Sequence, residues 1–160
     1  MTSGKTPRSV SESSNSSYDD ISLAWAGGFV DGEGCIHIAK QASRDRRRVS
    51  YRLGVHISQN NLPVLAHFCE AVGLQAPIYE LKHVVGRRRT CYTLNYTGKF
   101  ARLLIERLLP HLVRKRDEAL ASLDFWSHGQ VGLRRGGPRG LDPALVEVRE
   151  HYYQLLKQLK

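Results

Sequence analysis

The sequence predicts an α+β domain in which helices cover one face of a four-stranded antiparallel sheet. Three observations lead to this fold class. The 160 residues contain 41% hydrophobic side chains, enough for one core but too few residues for two full domains. Segments with helical apolar spacing alternate with segments of two-residue spacing. Their order along the chain is helix, strand, strand, helix, strand, strand, helix, with further helices after it.

The first half of the chain predicts one helix and one hairpin. Ser22 can cap a helix from Leu23 to about Asp31. Residues 35–41 and 50–58 then alternate apolar and polar side chains, as strands with one buried face do. An arginine-rich turn at 44–48 joins them, so we expect a hairpin with a basic tip.

The second half repeats this arrangement. A helix over 62–72 is expected to stop at Gly73, a residue type favoured at helix C-termini. Strands near 78–84 and 90–97 form a second hairpin around a basic turn. The remaining helices are predicted at 100–109, 113–126 and 143–159, with Pro110 interrupting the first and Pro143 starting the last.

Composition predicts the organisation of the chain and the class of its partner. Residues 1–20 are serine-rich, which predicts a disordered arm. The core is expected at 21–126, a Gly/Arg-rich loop at 127–140, and a helix packed on the core at 141–160. The net charge is +9, from 24 Lys and Arg against 15 Asp and Glu. Since the arm contains more acids than bases, the folded part is basic, which favours a polyanionic partner such as nucleic acid.

Other classes are disfavoured by what the chain contains. Its three cysteines, Cys35, Cys69 and Cys91, are odd in number and widely spaced, unlike a disulfide framework or a zinc finger. We expect His67 and His111 to lie on helix surfaces and expect no histidine-based metal site. Without a long apolar stretch, the sequence predicts a soluble intracellular protein with no membrane partner; an organelle and a bacterial cytoplasm fit equally.

The most informative segment runs from Trp25 to Gly34. Gly27 and Gly28 stand inside an apolar helix, where each costs about 1 kcal/mol relative to Ala, so close approach of a second backbone is the expected reason. Ala24 and Gly28 lie four residues apart on one face of the helix and form a surface of small residues. Carboxylates then follow near the helix C-terminus, an end where the helix dipole disfavours anions unless a cation binds there.

Residues 26–34 resemble, without a gap, the nine-letter motif of the LAGLIDADG homing endonucleases. Asp31 falls on the first Asp of the motif and Glu33 replaces the second, while Phe29 and Val30 keep the character of its Leu-Ile pair. From the residues alone, an ordinary glycine-tolerant helix end remains the alternative. The resemblance implies an αββαββα fold whose saddle-shaped sheet lies over double-stranded DNA.

The resemblance also implies an assembly and a chemistry. Because one motif copy is present, a C2 homodimer through Ala24, Gly27 and Gly28 is expected, with each copy cleaving one strand of a long, roughly palindromic site. The implied activity is a Mg²⁺-dependent double-strand break, as in intron homing, with Mn²⁺ as a substitute ion.

The implied catalytic residues are four. Glu33 is the expected metal ligand, assisted by the Gly32 carbonyl, because carboxylate and carbonyl oxygens suit Mg²⁺. Asp31 ranks second and is expected to support its neighbours structurally. Gln59 matches a position that organises water near the metal, and Lys115 a basic position near the scissile phosphate. Gln59 can instead be a capping or solvated residue, and Lys115 part of a solvated helix face whose register is open by one residue.

The predicted DNA contacts are base-reading residues on the solvated faces of the strands and arginines in the basic turns. The turn arginines are expected to hold phosphates; the alternative is that they only solvate the turns. The phase of the third strand stays open. These candidates are His37, Gln41, Arg46, Arg47, Arg48, Arg52, His56, Lys82, Arg87, Arg88, Arg89, Thr93 and Asn95. The main alternative function is a maturase or regulator of the same fold that binds RNA or DNA without cleaving it. A basic RNA-binding protein unrelated to this family is a third reading.

Overall fold

The structure, a computed structural model, describes residues 15–43, 49–81, 90–129 and 142–160, and for 15–19 the backbone alone. Five helices and four strands are described within these ranges. They are α1 (Asn15–Glu33), β1 (Gly34–Ala42), β2 (Val49–Gln59), α2 (Leu62–Val72), β3 (Ile78–Leu81), β4 (Cys91–Thr97), α3 (Lys99–Leu108), a 3₁₀ turn (Leu109–His111), α4 (Arg116–Gly129) and α5 (Pro143–Gln158). The predicted αββαββα order is confirmed.

The four strands form one antiparallel sheet in the order β1-β2-β4-β3. Its register places Ile36 opposite Val55, and Ile57 opposite Leu94, so the apolar residues of successive strands meet on one face. The helices pack on that face around a single core, which includes Phe68. The other face carries the alternate residues of each strand, because side chains along a strand point to opposite sides.

Local sequence explains both ends of α2 and the start of α5. Asn61 caps α2 by accepting a hydrogen bond from the Val64 N–H at 3.3 Å, and Gly73 ends it with a left-handed φ of 61°. Asp142 caps α5 through the Ala144 N–H at 3.0 Å. The predicted bounds of α2 therefore agree with the structure residue by residue.

The start of α1 differs from the prediction. The helix begins at Asn15, so Ser22 is not its cap and residues 15–20 do not belong to a disordered arm. Within the extension, Asp20 Oδ1 lies 3.4 Å from His111 Nε2 in the distant 3₁₀ turn. A local reading of serines and acids could not detect this contact. Residues 1–14 lie outside the described residues.

The end of α1 also differs. The helix continues through Gly32 and Glu33 and passes into β1 at Gly34 without a loop. A Cβ on Gly34 would lie 2.9 Å from both Cγ1 and the carbonyl oxygen of Val30, closer than real Cβ contacts. Glycine at position 34 therefore allows the strand to leave the helix directly.

Helix α4 is shifted from the predicted 113–126. It begins at Arg116, because the N–H groups of the three preceding residues donate to the Asp31 carboxylate. It ends at Gly129, so residues 127–129 belong to the helix and not to the predicted loop. The Gly129 carbonyl accepts a hydrogen bond from Nε of the buried Arg149 at 2.5 Å, which ties this end to α5. Residues 130–141 are outside the described part.

Candidate active site and nucleic-acid interface

The Asp31 carboxylate organises the end of α1. Oδ2 accepts hydrogen bonds from the backbone N–H groups of Val113 at 2.7 Å and Arg114 at 3.0 Å, and Oδ1 accepts one from Lys115 at 2.9 Å. Partial burial raises the pKa of Asp31, but the three backbone hydrogen bonds outweigh it and hold the pKa below its usual value. Asp31 thus fixes the turn before α4 to the last turn of α1.

Lys115 lies on the same junction. Its side chain is 5% exposed and its Nζ donates to the Asp31 carbonyl at 2.5 Å, while Arg114, exposed, donates through Nη1 to the same oxygen at 3.3 Å. Positive charge at a helix C-terminus is favoured by the helix dipole. Of the three neighbouring basic residues at 114–116, Lys115 is therefore the one whose side chain is buried against α1.

Glu118 is a member of this junction that the sequence did not suggest. It lies in the first turn of α4 and is 6% exposed, and burial raises its pKa above the usual value. Lys115, Lys160 and Arg114 act in the opposite direction through their charges. No spacing rule identified it, because its neighbours come from distant parts of the chain.

Glu33 contrasts with both of these acids. It is the last residue of α1 and is exposed, and within the described ranges its carboxylate has no hydrogen bond or ion pair. Gly32 lies in the same final turn, where helix carbonyls lack intrahelical partners. Gln59 ends β2 two residues beyond the Gly34–Ile57 pair, so it lies at the sheet end where α1 stops.

The sheet face opposite the helices carries six of the thirteen predicted DNA contacts. Register places Gln41 opposite Ser50, and His56 opposite Asn95, on this open face. Thr93 lies there too, but it is 8% exposed and Ser58 Oγ donates to its hydroxyl at 3.4 Å. The described members of the predicted set on this face are His37, Gln41, Arg52, His56, Thr93 and Asn95.

The open phase of the third strand is now determined. Ile78 pairs with the core residue Leu94, whereas Tyr79 pairs with Thr93 and therefore lies on the open face. Tyr79 is 54% exposed and adds an aromatic side chain that the sequence did not assign. The other predicted contacts, Arg46, Arg47, Arg48, Lys82, Arg87, Arg88 and Arg89, lie outside the described residues.

His37 and His56 are adjacent on the open face. Their ring centroids are 5.2 Å apart, and His37 Nδ1 lies 3.4 Å from the Cys35 carbonyl. Burial lowers the pKa of both imidazoles below the usual value. Cys35 Sγ lies close to both rings. The sequence did not indicate this grouping, and no histidine-based metal site was expected from it.

The exposed face of α1 contains small apolar residues. Ala24 and Gly28 are exposed, and a Cβ on Gly28 would meet nothing within 4 Å. Gly27 was wrongly assigned to this face. It is buried against the 3₁₀ turn of its own chain, where a Cβ would lie 2.7 Å from His111 Cβ and 3.0 Å from the His111 carbonyl oxygen. The close backbone approach expected at Gly27 is therefore intramolecular.

The other predicted histidine positions are partly corrected. His67 lies on the surface of α2, with its ring 4.8 Å from that of Trp25. His111 lies in the 3₁₀ turn with its side chain only 15% exposed, packed against Gly27 and paired with Asp20. All three cysteines are free.

Comparison with known proteins identifies the family. The model of the LAGLIDADG endonucleases matches residues 26–113, more than half of the chain. The chain belongs to the LAGLIDADG endonuclease family. A sequence search among curated proteins finds no significant match.

Solved structures of LAGLIDADG proteins share the fold. The chain resembles the homing endonuclease I-CvuI, in complex with the I-CreI target in 2 mM Mg with the DNA not cleaved, at 20% identity and a TM-score of 0.71, over 89% of this chain and 83% of that one. The archaeal intron-encoded I-Vdi141I, complexed with DNA, has 19% identity and a TM-score of 0.70, with 89% and 86% covered. The homing endonuclease I-LtrWI, bound to target DNA, has 14% identity and a TM-score of 0.61, over 95% of this chain and 47% of that one.

These matches confirm the α+β LAGLIDADG fold predicted from the motif and the element order. Among the described residues, no helix is both long and apolar enough to cross a membrane.

Proposed function

We propose that this LAGLIDADG endonuclease is a site-specific DNA endonuclease that makes a double-strand break as a homodimer. The observation that carries the proposal is the exposed carboxylate of Glu33 at the end of α1, beside an open sheet face with polar and basic side chains. The Asp31 hydrogen bonds fix the turn that carries Lys115 to this same end. Lys115 is thereby tied to the last turn of α1, the turn that ends in Glu33.

The residues at the end of α1 fit a divalent ion, and Mg²⁺ is the ion we propose, with Mn²⁺ as a substitute. The carboxylate of Glu33 and the carbonyl of Gly32 are hard oxygen donors, and no described residue competes for Glu33. The chemistry that such an ion supplies is neutralisation of charge on the phosphoryl oxygens. Gln59 is proposed to orient water there, and Lys115 to supply positive charge near the leaving group.

The open face is proposed to bind duplex DNA. An antiparallel two-stranded ribbon fits the major groove, where His37, Gln41 and His56 can reach base edges and Arg52 can reach bases or phosphates. The basic balance of the chain, +9 overall, supports a polyanionic partner. The I-CvuI, I-Vdi141I and I-LtrWI structures are DNA complexes of proteins with this fold, which also supports the proposal.

One chain supplies one Glu33 and half of a two-fold site, so we propose a C2 homodimer. Its contact is the exposed face of α1, where Ala24 and Gly28 allow close approach of a second helix. The coverage values agree with this: the chain spans most of I-CvuI but about half of I-LtrWI, a chain with room for two such units.

The test is cleavage of a randomised duplex library by the full chain, with and without Mg²⁺. We expect a selected subset of long sites to be cut on both strands only with the metal. Glu33→Gln should lower cleavage of a selected site by about 1,000-fold or more while DNA affinity and stability stay unchanged. Glu147→Gln is the control, because Glu147 is also exposed but lies on α5. Equal activity of the two variants would contradict the assignment.

A non-cleaving binder is the second candidate, and one observation favours it. Lys115 is 5% exposed and its ammonium already donates to the Asp31 carbonyl, so it is not free to contact a phosphate in this conformation. If the protein is such a binder, selected sites will be bound with Mg²⁺ but stay intact, and Lys115→Met will change only the stability of the protein. Loss of about 100-fold in cleavage by Lys115→Met, with DNA affinity retained, supports the enzyme.

A further inference from the structure

Three potential metal ligands converge on the open sheet face, and the first of them, Cys35, is two residues after Glu33 in the chain. The Sγ of Cys35 and one ring nitrogen each of His37 and His56 all lie within 4.8 Å of one another. The β1–β2 register explains this: Cys35 is directly opposite His56, and His37 is the next residue of β1 on the same face. The cluster is therefore built by strand pairing and does not depend on a loop.

The packing under His37 is shaped for its ring. His37 is opposite Gly54, and a Cβ on that glycine would lie 2.7 Å from Cε1 and 2.8 Å from Nε2 of the imidazole. Only a glycine lets the ring lie this close to β2. The His37 Nδ1 lies 3.4 Å from the Cys35 carbonyl, a contact that favours the proton on Nδ1 and leaves Nε2 as the ligand atom.

We propose that Cys35, His37 and His56 bind one Zn²⁺ ion, through a sulfur and nitrogen ligand set that does not include the Glu33 carboxylate. One sulfur and two imidazole nitrogens suit zinc and other borderline transition metals, whereas Mg²⁺ prefers oxygen. In tetrahedral zinc, bonds of about 2.0–2.3 Å place one sulfur and two nitrogen ligands about 3.3–3.6 Å apart, so shifts of about 1 Å in the side-chain atoms close the site. The fourth position is left for water.

Lys160 is the group that a metal must displace. Its Nζ lies 3.2 Å from Cys35 Sγ, and the residue is exposed just beyond the end of α5. An exposed lysine side chain reorients at little cost, so this contact competes only weakly with a metal–thiolate bond.

A consequence for DNA follows, and it rests on the proposed function. His37 and His56 are two of the proposed base contacts, and a zinc ion bound by both withdraws their ring nitrogens from base edges. Zinc is therefore expected to raise the Kd for a selected DNA site by about tenfold or more, through ligands that differ from those of the proposed nuclease centre.

The metal site is tested with the full chain and Co²⁺ as a spectroscopic probe for zinc. We expect one Co²⁺ per chain, with thiolate-to-metal charge-transfer absorption and the visible bands of tetrahedral cobalt, and we expect Zn²⁺ to displace it. Cys35→Ser should abolish the charge-transfer absorption. Cys91→Ser is the matched control, because Cys91 is also a half-buried free thiol on the open face, in β4. Absorption that survives Cys35→Ser, or is lost in Cys91→Ser, would overturn the site.

Gly54→Ala tests the geometry while retaining every ligand. The added methyl displaces the His37 ring, so the affinity for Co²⁺ should fall by about tenfold or more, with an unchanged circular dichroism spectrum. If Gly54→Ala fails to fold, His56→Ala replaces it, and the same loss is expected. Wild-type affinity in the folded variant would contradict the proposal.

DNA binding is measured separately, on a selected duplex with and without Zn²⁺. Wild-type protein should lose affinity with zinc, whereas Cys35→Ser should bind DNA normally and be insensitive to zinc. Cobalt binding without any effect of zinc on DNA affinity would overturn the consequence alone. Failure to bind any DNA would overturn the proposed function while leaving the spectroscopic result to decide the metal site.

Discussion

Asp31 and Glu33 are two carboxylates separated by one residue at the end of the same helix, yet their surroundings are opposite. Asp31 accepts three backbone hydrogen bonds from the turn before α4 and holds two segments together. Glu33 is exposed and has no partner among the described residues. A carboxylate whose hydrogen bonds are all made inside the protein contributes to stability, whereas one left without partners is available to a ligand.

The comparison is tested most strongly by truncating each acid. Asp31→Ala leaves three backbone N–H groups without their acceptor, so the free energy of unfolding should fall by about 3 kcal/mol. Glu33→Ala removes an exposed side chain without partners and should change it by no more than about 0.5 kcal/mol. Urea denaturation at pH 7 measures both. Similar losses for the two variants would show that Glu33 is also structural.

Gly27 and Gly28 give a second contrast of the same kind, one residue contacting its own chain and its neighbour facing outward. A Cβ at Gly27 would overlap His111, so Gly27→Ala should destabilise the chain by about 2 kcal/mol. A Cβ at Gly28 would contact nothing within 4 Å, so Gly28→Ala should raise helix stability by up to about 1 kcal/mol. Denaturation of dilute protein measures both effects.

The homodimer is tested with the same pair of variants. If Gly28 lies in the contact between two α1 helices, Gly28→Ala should weaken dimerisation in sedimentation equilibrium although it stabilises the monomer. Gly27→Ala, because its glycine faces His111, should leave the dimerisation constant of the folded fraction unchanged. An unchanged constant in both variants would remove the exposed face of α1 from the interface.

Features determined by local sequence could be predicted, and those determined by contacts between distant residues could not. The bounds of α2 follow from Asn61, Gly73 and the spacing between them, and the faces of β2 follow from simple alternation. The LAGLIDADG motif directed attention to Glu33 for the same reason, since it is one continuous segment. The order of elements was predictable because each element has its own period.

The errors share one cause. The extension of α1 brings Asp20 to His111, and the late start of α4 depends on Asp31. The grouping of Cys35 with His56 depends on the hairpin register, which alternation alone does not determine because it leaves the number of turn residues open. Each of these requires knowing which distant residues meet, and a single sequence has no signal for that.

Glu150 extends the comparison to a third acid and gives the smallest predicted effect. Hydrogen bonds from Lys40, Tyr51 and Gln154 lower its pKa from 4.5 to about 2, so α5 is held to β1 and β2 by a carboxylate with partners. Because the folded-state pKa is the lower one, this stabilisation is present above pH 4.5 and is lost as the pH falls from about 4.5 toward about 2.

Exposure of 34% of the Glu150 side chain keeps its contribution below about 1 kcal/mol, because solvent screens the ion pair with Lys40. Glu150→Gln should therefore lower the urea midpoint at pH 7, and the difference from wild type should shrink at pH 3. Glu147→Gln is the control on the same helix, since Glu147 is exposed and unpaired in the described structure. If both variants lose the same stability at pH 7, net charge explains the effect; a loss confined to Glu150→Gln shows that a carboxylate matters for stability only where its hydrogen bonds are made.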